Sequence, residues 1–158
     1  MRLIVVRHGI AIAKRRWEGP DADRPLTPNG ARQAKAVAAR LAPYRPIAIL
    51  SSPSLRCRQT VEPLAARTAT LVQNHKALGV DAGASSLELI HQLVATESPT
   101  STVVLCTHRE VLVEILPALA AEFRVALGHR PPGAKGGSWT LRFRGDRLVN
   151  VKYWRPNR

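Results

Sequence analysis

Cysteine is almost absent from this 158-residue sequence: Cys57 and Cys106 stand alone, with no CxxC pair. That leaves no disulfide framework to build on, and a reducing cytoplasm is the expected setting. Long apolar runs are also missing. Nothing approaches the roughly 18 to 20 residues that a spanning helix needs, and the stretch Leu3-Ile4-Val5-Val6 is cut off by Arg7-His8, so it is no signal peptide. Acidic residues are scarce, 11 against 24 basic ones, which gives a net charge of +13. Lysine is rare too, at Lys14, Lys35, Lys76, Lys135 and Lys152 only, so arginine carries most of the charge. From Arg124 to Arg158 the sole acid is Asp146. Either arginine simply solvates the surface, or the chain attracts polyanions: phosphorylated small molecules, nucleotides or nucleic acid.

What remains is ordinary globular material. Hydrophobic residues make up 45% and charged ones 22%, enough for one compact domain over 1–158. Met1 to Arg7 reads as a buried strand that runs into Arg7-His8-Gly9, where the glycine permits a sharp turn. Thr27-Pro28 has the form of a helix cap, and apolar residues at helical spacing carry a helix from Pro28 to Leu41, ended by Pro43. Further strands are expected at Ile47–Leu50, Thr70–Val72 and Thr102–Cys106, and helices at Ser54–Arg67, Ser86–Thr96 and Glu110–Ala121. Ser138–Arg144 and Leu148–Tyr153 alternate around Gly145-Asp146 as a hairpin. Alternating strands and helices imply a three-layer α/β/α sandwich with a mainly parallel sheet. In such sheets ligands bind beyond the carboxyl ends of the strands. Arg7-His8, Ser51-Ser52 and Thr107-His108 all follow strands, so three polar tips meet on one edge.

Each of these residues has a bland reading as a satisfied core histidine or a surface arginine. Together they make a different case. A guanidinium at the tip of an apolar strand is costly without an anion to meet it. Arg56 stands near a helix start, where a cation opposes the helix dipole unless an anion lies between. Two histidines and two arginines on one edge form a pocket for a phosphoryl group. A neutral imidazole can attack phosphorus, and the other groups hold the equatorial oxygens. No metal and no cofactor is required, and His75, His91 and His129 show no metal-ligand spacing.

Four blocks carry a family resemblance: Arg7-His8-Gly9, Leu26-Thr27-Pro28-Asn29-Gly30-Ala31-Arg32-Gln33-Ala34, Ser51-Ser52-Pro53 through Arg56 to Gln59-Thr60, and His108. In this order they resemble the histidine phosphatase superfamily, of phosphoglycerate mutase-like fold. The resemblance implies that His8 is the nucleophile and that Arg7, Arg56 and His108 bind phosphate. The chain's size and Arg24-Pro25-Leu26-Thr27 are similar to the small phosphohistidine phosphatases like SixA. The run from Arg56 to Leu64 is similar to a phosphatase domain at the C-terminus of actinobacterial Nudix (MutT-type) hydrolases. The implied substrate is a nucleotide or a phosphohistidine protein, and a Nudix hydrolase domain is an expected partner. Larger members place a glutamate general acid in an inserted segment. Here Asp81 and Glu88 lie in the right stretch and are the candidates, whereas Glu18 comes too early. The missing acid motif leaves a weakly active or non-catalytic phosphate-binding regulatory domain as the alternative.

Other signals point less far. Neither Leu112 nor Pro63, six positions after the cysteines, supplies the arginine of a thiol phosphatase loop. Asp21-Ala22-Asp23 is similar to an aspartyl-phosphate motif but follows no strand, and reads as a solvated loop. Arg24 is a candidate substrate contact that serves equally as surface cover. Lys135-Gly136-Gly137 reads as a turn before a strand. Trp139, Tyr153 and Trp154 suit either base stacking or the hairpin's core. Nucleic acid is not an expected partner, because the basic residues follow no recognisable recognition element.

Overall fold

The computed structural model describes residues 1–156 of the chain, so Asn157 and Arg158 of the basic tail lie outside the described residues. Six strands form one sheet: β1 (Arg2–Arg7), β2 (Ala48–Ser51), β3 (Val72–Asn74), β4 (Thr102–Thr107), β5 (Ser138–Arg144) and β6 (Arg147–Trp154). Their order is β3-β2-β4-β1-β5-β6. The first four are parallel, while β5 and β6 run antiparallel as an edge hairpin. Four helices accompany them: α1 (Pro28–Leu41), α2 (Leu55–Thr68), α3 (Gly83–Thr96) and α4 (Arg109–Phe123). Among the described residues no helix is long and apolar enough to cross a membrane.

Side chains alternate across a strand, and in β1 both faces are apolar, so the sheet is covered on both sides. Leu3 and Val5 pack with Leu105 of β4 and with Ile90, Leu112 and Ile115 of α3 and α4. Ile4 and Val6 pack with Val104 and with Val37, Leu41, Val61 and Leu64 of α1 and α2. These are the three α/β/α layers. At the start of α1 the Thr27 hydroxyl accepts from the Gly30 N–H at 3.1 Å, with Pro28 in the first turn, so the capping signals place this helix as read. The parallel strands β1, β2 and β4 all deliver their carboxyl ends to one edge.

Candidate active site

His8 leaves β1 with its backbone pinned on three sides. Its N–H donates to the Thr107 carbonyl at 3.1 Å, tying it to the end of β4. The Gly136 N–H donates to the carbonyls of Arg7 and His8 at 3.0 and 3.2 Å. Thr60 of α2 accepts from the Gly9 N–H at 2.9 Å and donates back to the Arg56 carbonyl at 2.6 Å. Gln33 of α1 accepts from Ile10 N–H at 2.9 Å, and Gln59 of α2 accepts from Leu26 N–H at 2.8 Å. Thr60, Gln33 and Gln59 therefore act as positioning residues, a role that their pattern in the sequence did not spell out. The segment Lys135-Gly136-Gly137, expected to be a plain turn, clamps the nucleophile loop. Gly136 sits at φ 75, in the region that glycine adopts without strain.

Gly30 explains how α1 comes so close. A Cβ there would fall on the Ile10 carbonyl oxygen. Gly30→Ala is therefore expected to push Ile10 and the adjoining His8 loop away, costing about 1–3 kcal/mol. Urea unfolding checks this, and kcat should fall with stability because the displaced loop carries His8.

His8 is only 8% exposed. Its Nδ1 lies 2.8 Å from the Gly9 carbonyl oxygen. A carbonyl only accepts, so Nδ1 carries the proton and Nε2 keeps its lone pair. Burial pushes the His8 pKa down to about 3, against the opposing pull of the Gly9 carbonyl, with His108, Arg56 and Arg7 lowering it further. The ring is therefore neutral in the free site. Between pH 6.5 and about 3 the unfolded chain binds a proton that the native ring refuses, so native stability falls as pH falls through that window. The limiting slope is about 1.4 kcal/mol per pH unit. Comparing urea unfolding at pH 6.5 and 4 should show a smaller loss for His8→Asn than for the wild type.

His108 caps α4 and is 1% exposed. Its ring centroid is 5.4 Å from that of His8, at 64°. Ser52 Oγ lies 2.7 Å from His108 Nε2, and Arg56 Nη2 lies 3.4 Å from Nδ1. A guanidinium only donates, so this pairing assigns the acceptor role to Nδ1 and the proton to Nε2, directed at Ser52. Arg56 is 3% exposed. Burial lowers the Arg7 pKa, Arg109 adds to the effect, and Glu110 and Tyr153 work against it. Arg7 Nη1 donates to the Gly133 carbonyl at 2.6 Å. The Nε atoms of Arg7 and Arg56 are both buried without a hydrogen-bond partner. Leaving such donors unsatisfied is expensive, and Arg40 and Arg58 carry buried, unpartnered Nε atoms as well.

The structure thus brings Arg7, His8, Arg56 and His108 together and adds Ser52. It also adds Asp21, which the sequence reading placed in a solvated loop. Arg56 donates to the Asp21 carbonyl at 2.8 Å and to its carboxylate at 3.0 Å. Burial pushes the Asp21 pKa up, but the Arg56 and Arg24 guanidinium groups more than offset this and hold it below the usual carboxylate range. This carboxylate is the anion that Arg56 needs near the start of α2, where Ser54 makes no side-chain cap. Arg24 reaches the site at one remove. It binds Asp21 at 3.0 Å and the Ile12 carbonyl at 2.7 Å. Asp81 is exposed in the turn before α3, and Glu88 is exposed on that helix. Among the described residues neither is hydrogen-bonded to the pocket, and Asp21 is the one carboxylate that is. Cys106 is core, as expected, with burial pushing its thiol pKa up. Cys57 Sγ rests 3.6 Å from His108 Nε2. Trp139 is fully buried, and Tyr153 stacks on His129 at 4.3 Å.

Comparison with known proteins agrees with this geometry. The family model "Histidine phosphatase superfamily (branch 1)" matches residues 3–80. The chain is 30% identical to the 8-oxo-(d)GTP phosphatase of Mycolicibacterium smegmatis, covering 98% of this chain and 48% of that protein. A 68-residue stretch is 50% identical to an uncharacterized protein of Picosynechococcus, covering 42% of this chain and 41% of that one. The match thus covers less than half the length of each of these two relatives. Among solved structures, SixA of Agrobacterium tumefaciens is 26% identical over 96% of this chain and 97% of its own, with a TM-score of 0.73. Mycobacterial glucosyl-3-phosphoglycerate phosphatase, complexed with VO3, shares the fold at a TM-score of 0.76 and 20% identity, with 99% of each chain covered. The fold and the family model agree on one superfamily. The chain belongs to the histidine phosphatase superfamily.

Proposed function

We propose that this chain is a phosphohydrolase working through a phosphohistidine at His8, without a metal, in the cytoplasm. The observation that carries the reading is the free His8 Nε2 in a buried cluster with His108, Arg56 and Arg7. In the first step the Nε2 lone pair forms an N–P bond as the bond from phosphorus to the leaving oxygen breaks. That oxygen takes up a proton from solvent, which the attacking water returns to solvent in the next step. Water then attacks phosphorus, the N–P electron pair returns to Nε2, and orthophosphate departs. Arg7 and Arg56 hold the oxygens on which charge accumulates, and His108 joins them by turning its Nε2–H from Ser52 to the phosphoryl group.

The substrate favoured here is a nucleotide, supported by the likeness to the 8-oxo-(d)GTP phosphatase along nearly the whole chain. A phosphohistidine protein is the second choice, supported by the likeness to SixA. Phosphate release measured on nucleotides, phosphohistidine and sugar phosphates, with and without chelator, tests both substrate and metal independence. Turnover that disappears with chelator would contradict the latter. The alternative, a regulatory phosphate-binding domain beside a Nudix hydrolase, rests on the missing general-acid motif: Asp81 and Glu88 are exposed and make no ion pair with the pocket among the described residues. It predicts ligand binding with no release in any arm.

Asp21 has two possible parts, which one substitution separates. As a carboxylate competing with phosphate for Arg56, its loss in Asp21→Asn tightens binding, with KM about fivefold lower and kcat little changed, on the order of one ordinary net hydrogen bond. As proton donor to the leaving oxygen in place of Asp81 or Glu88, its loss lowers kcat about a hundredfold instead. Because the neighbouring guanidinium groups hold its carboxyl deprotonated, the first outcome is expected. Steady-state kinetics decide.

A further inference from the structure

The opposite end of the sheet holds a second groove. A six-residue strand spans about 16 Å, so Arg2, at the start of β1, lies far from His8 at its end. The helices over this face pack on β1, β2 and β4 through Ile4, Val6, Ile49 and Val104, and no residue of β5 or β6 joins that cluster. The face that the hairpin shares with Arg2 is consequently left open. It borders a cavity of about 800 Å³ lined by Arg2, Arg142, Arg144 and Lys152 together with Tyr44 and Trp154. Among the described residues no acidic side chain lines it.

The charges there are arranged at their own expense. Arg2 is the direct cross-strand partner of Arg142, and Arg144 that of Arg147. Like charges placed opposite each other destabilise a strand pair. In place of carboxylates the cations find rings: the Arg2 guanidinium lies 4.6 Å from the Tyr44 centroid, and Lys152 Nζ lies 3.9 Å from that of Trp154. The Trp154 indole N–H is held by Thr140 Oγ1 at 3.1 Å.

We propose that this groove binds single-stranded nucleic acid. A row of cations on an open sheet face tracks a phosphate backbone, and aromatic rings among them stack with bases regardless of sequence. Phosphates draw Arg2 and Lys152 off the rings, which then meet the bases. An acidic peptide would answer the charges but would have no use for the two rings. Nucleic acid was not expected from the sequence, because the basic residues follow no linear pattern. The sheet supplies the grouping, by pairing Arg2 with a residue 140 positions away.

The test is fluorescence anisotropy of labelled oligothymidine with the whole chain across a salt series, read beside polyglutamate. Four phosphate contacts predict a slope of log K against log salt of about −3. Arg142→Ala with Lys152→Ala should weaken binding more than about tenfold and flatten the slope by about 1.4. Trp154→Leu should weaken oligothymidine binding by about tenfold, the worth of one stacked base. Arg56→Met, which removes a phosphate ligand of the His8 pocket, should bind oligothymidine as the wild type does. Equal binding by the double variant, polyglutamate bound as tightly as oligothymidine, or no binding at low salt would overturn the proposal. A thermal midpoint no lower than that of the wild type establishes that the variants remain folded.

Discussion

His8→Ala is expected to lose turnover by about 10⁴- to 10⁶-fold in kcat, the scale seen when a covalent nucleophile is removed. The ring is buried and neutral, and its Nδ1 is occupied by the Gly9 carbonyl. One lone pair therefore remains for bond formation, and no neighbouring side chain has the same placement. His108 is tied to Ser52 through one nitrogen and faces Arg56 with the other. Cys57, though close to His108, is completely buried. His8→Asn is the sharper variant. Its amide N–H can still donate to Gly9, so the loop keeps its tie while the nucleophile is gone. Activity should fall as far as in His8→Ala, whereas phosphate binding, measured by calorimetry, should persist. Retained turnover in either variant would remove His8 from the chemistry.

The second large effect is expected at Arg56. Arg56→Met is expected to lower kcat/KM by about 10²- to 10³-fold, because a guanidinium placed on developing charge is lost. Stability should move the other way or not at all. A buried cation with an unpartnered Nε is a cost to the fold, and replacing buried ion pairs by apolar side chains is often neutral or stabilising. Asp21 is 39% exposed at its side chain, so water can take over its carboxylate. Thermal unfolding and steady-state kinetics on the same sample check the opposition. A large drop in midpoint together with the loss of activity would make Arg56 a structural residue rather than a phosphate ligand. Arg56→Lys should recover little, since a single ammonium replaces a fork of donors.

Much of this was legible in the sequence, and the failures have physical causes. The strand–polar tip pattern placed Arg7, His8 and His108 correctly, because β1 and β4 are short, apolar on both faces and bounded by polar residues. The bounds of α1 were read as observed, because Thr27 and Pro28 carry a local capping signal. The start of α3 came three residues early, at Gly83 rather than Ser86, since Gly83-Ala84-Ser85 carries no apolar period. The edge strand β3 slid from Thr70–Val72 to Val72–Asn74 because its pairing with Ile49 to Ser51 sets its position, and that pairing is not local. Asp21 was misplaced for the same reason. Its partner Arg56 lies 35 positions away, and nothing in Asp21-Ala22-Asp23 itself indicates that a 3-10 turn folds over the pocket. The basic groove was invisible until β1 and β5 were paired.

The most direct measurement is to mix the protein with phosphate-labelled substrate, quench in alkali, where an N–P bond survives, and locate the label by mass spectrometry. The account predicts label on the peptide that contains Arg7-His8-Gly9, with none in His8→Asn. Steady release of orthophosphate with no label on His8 at any time, or label on another side chain, would contradict it.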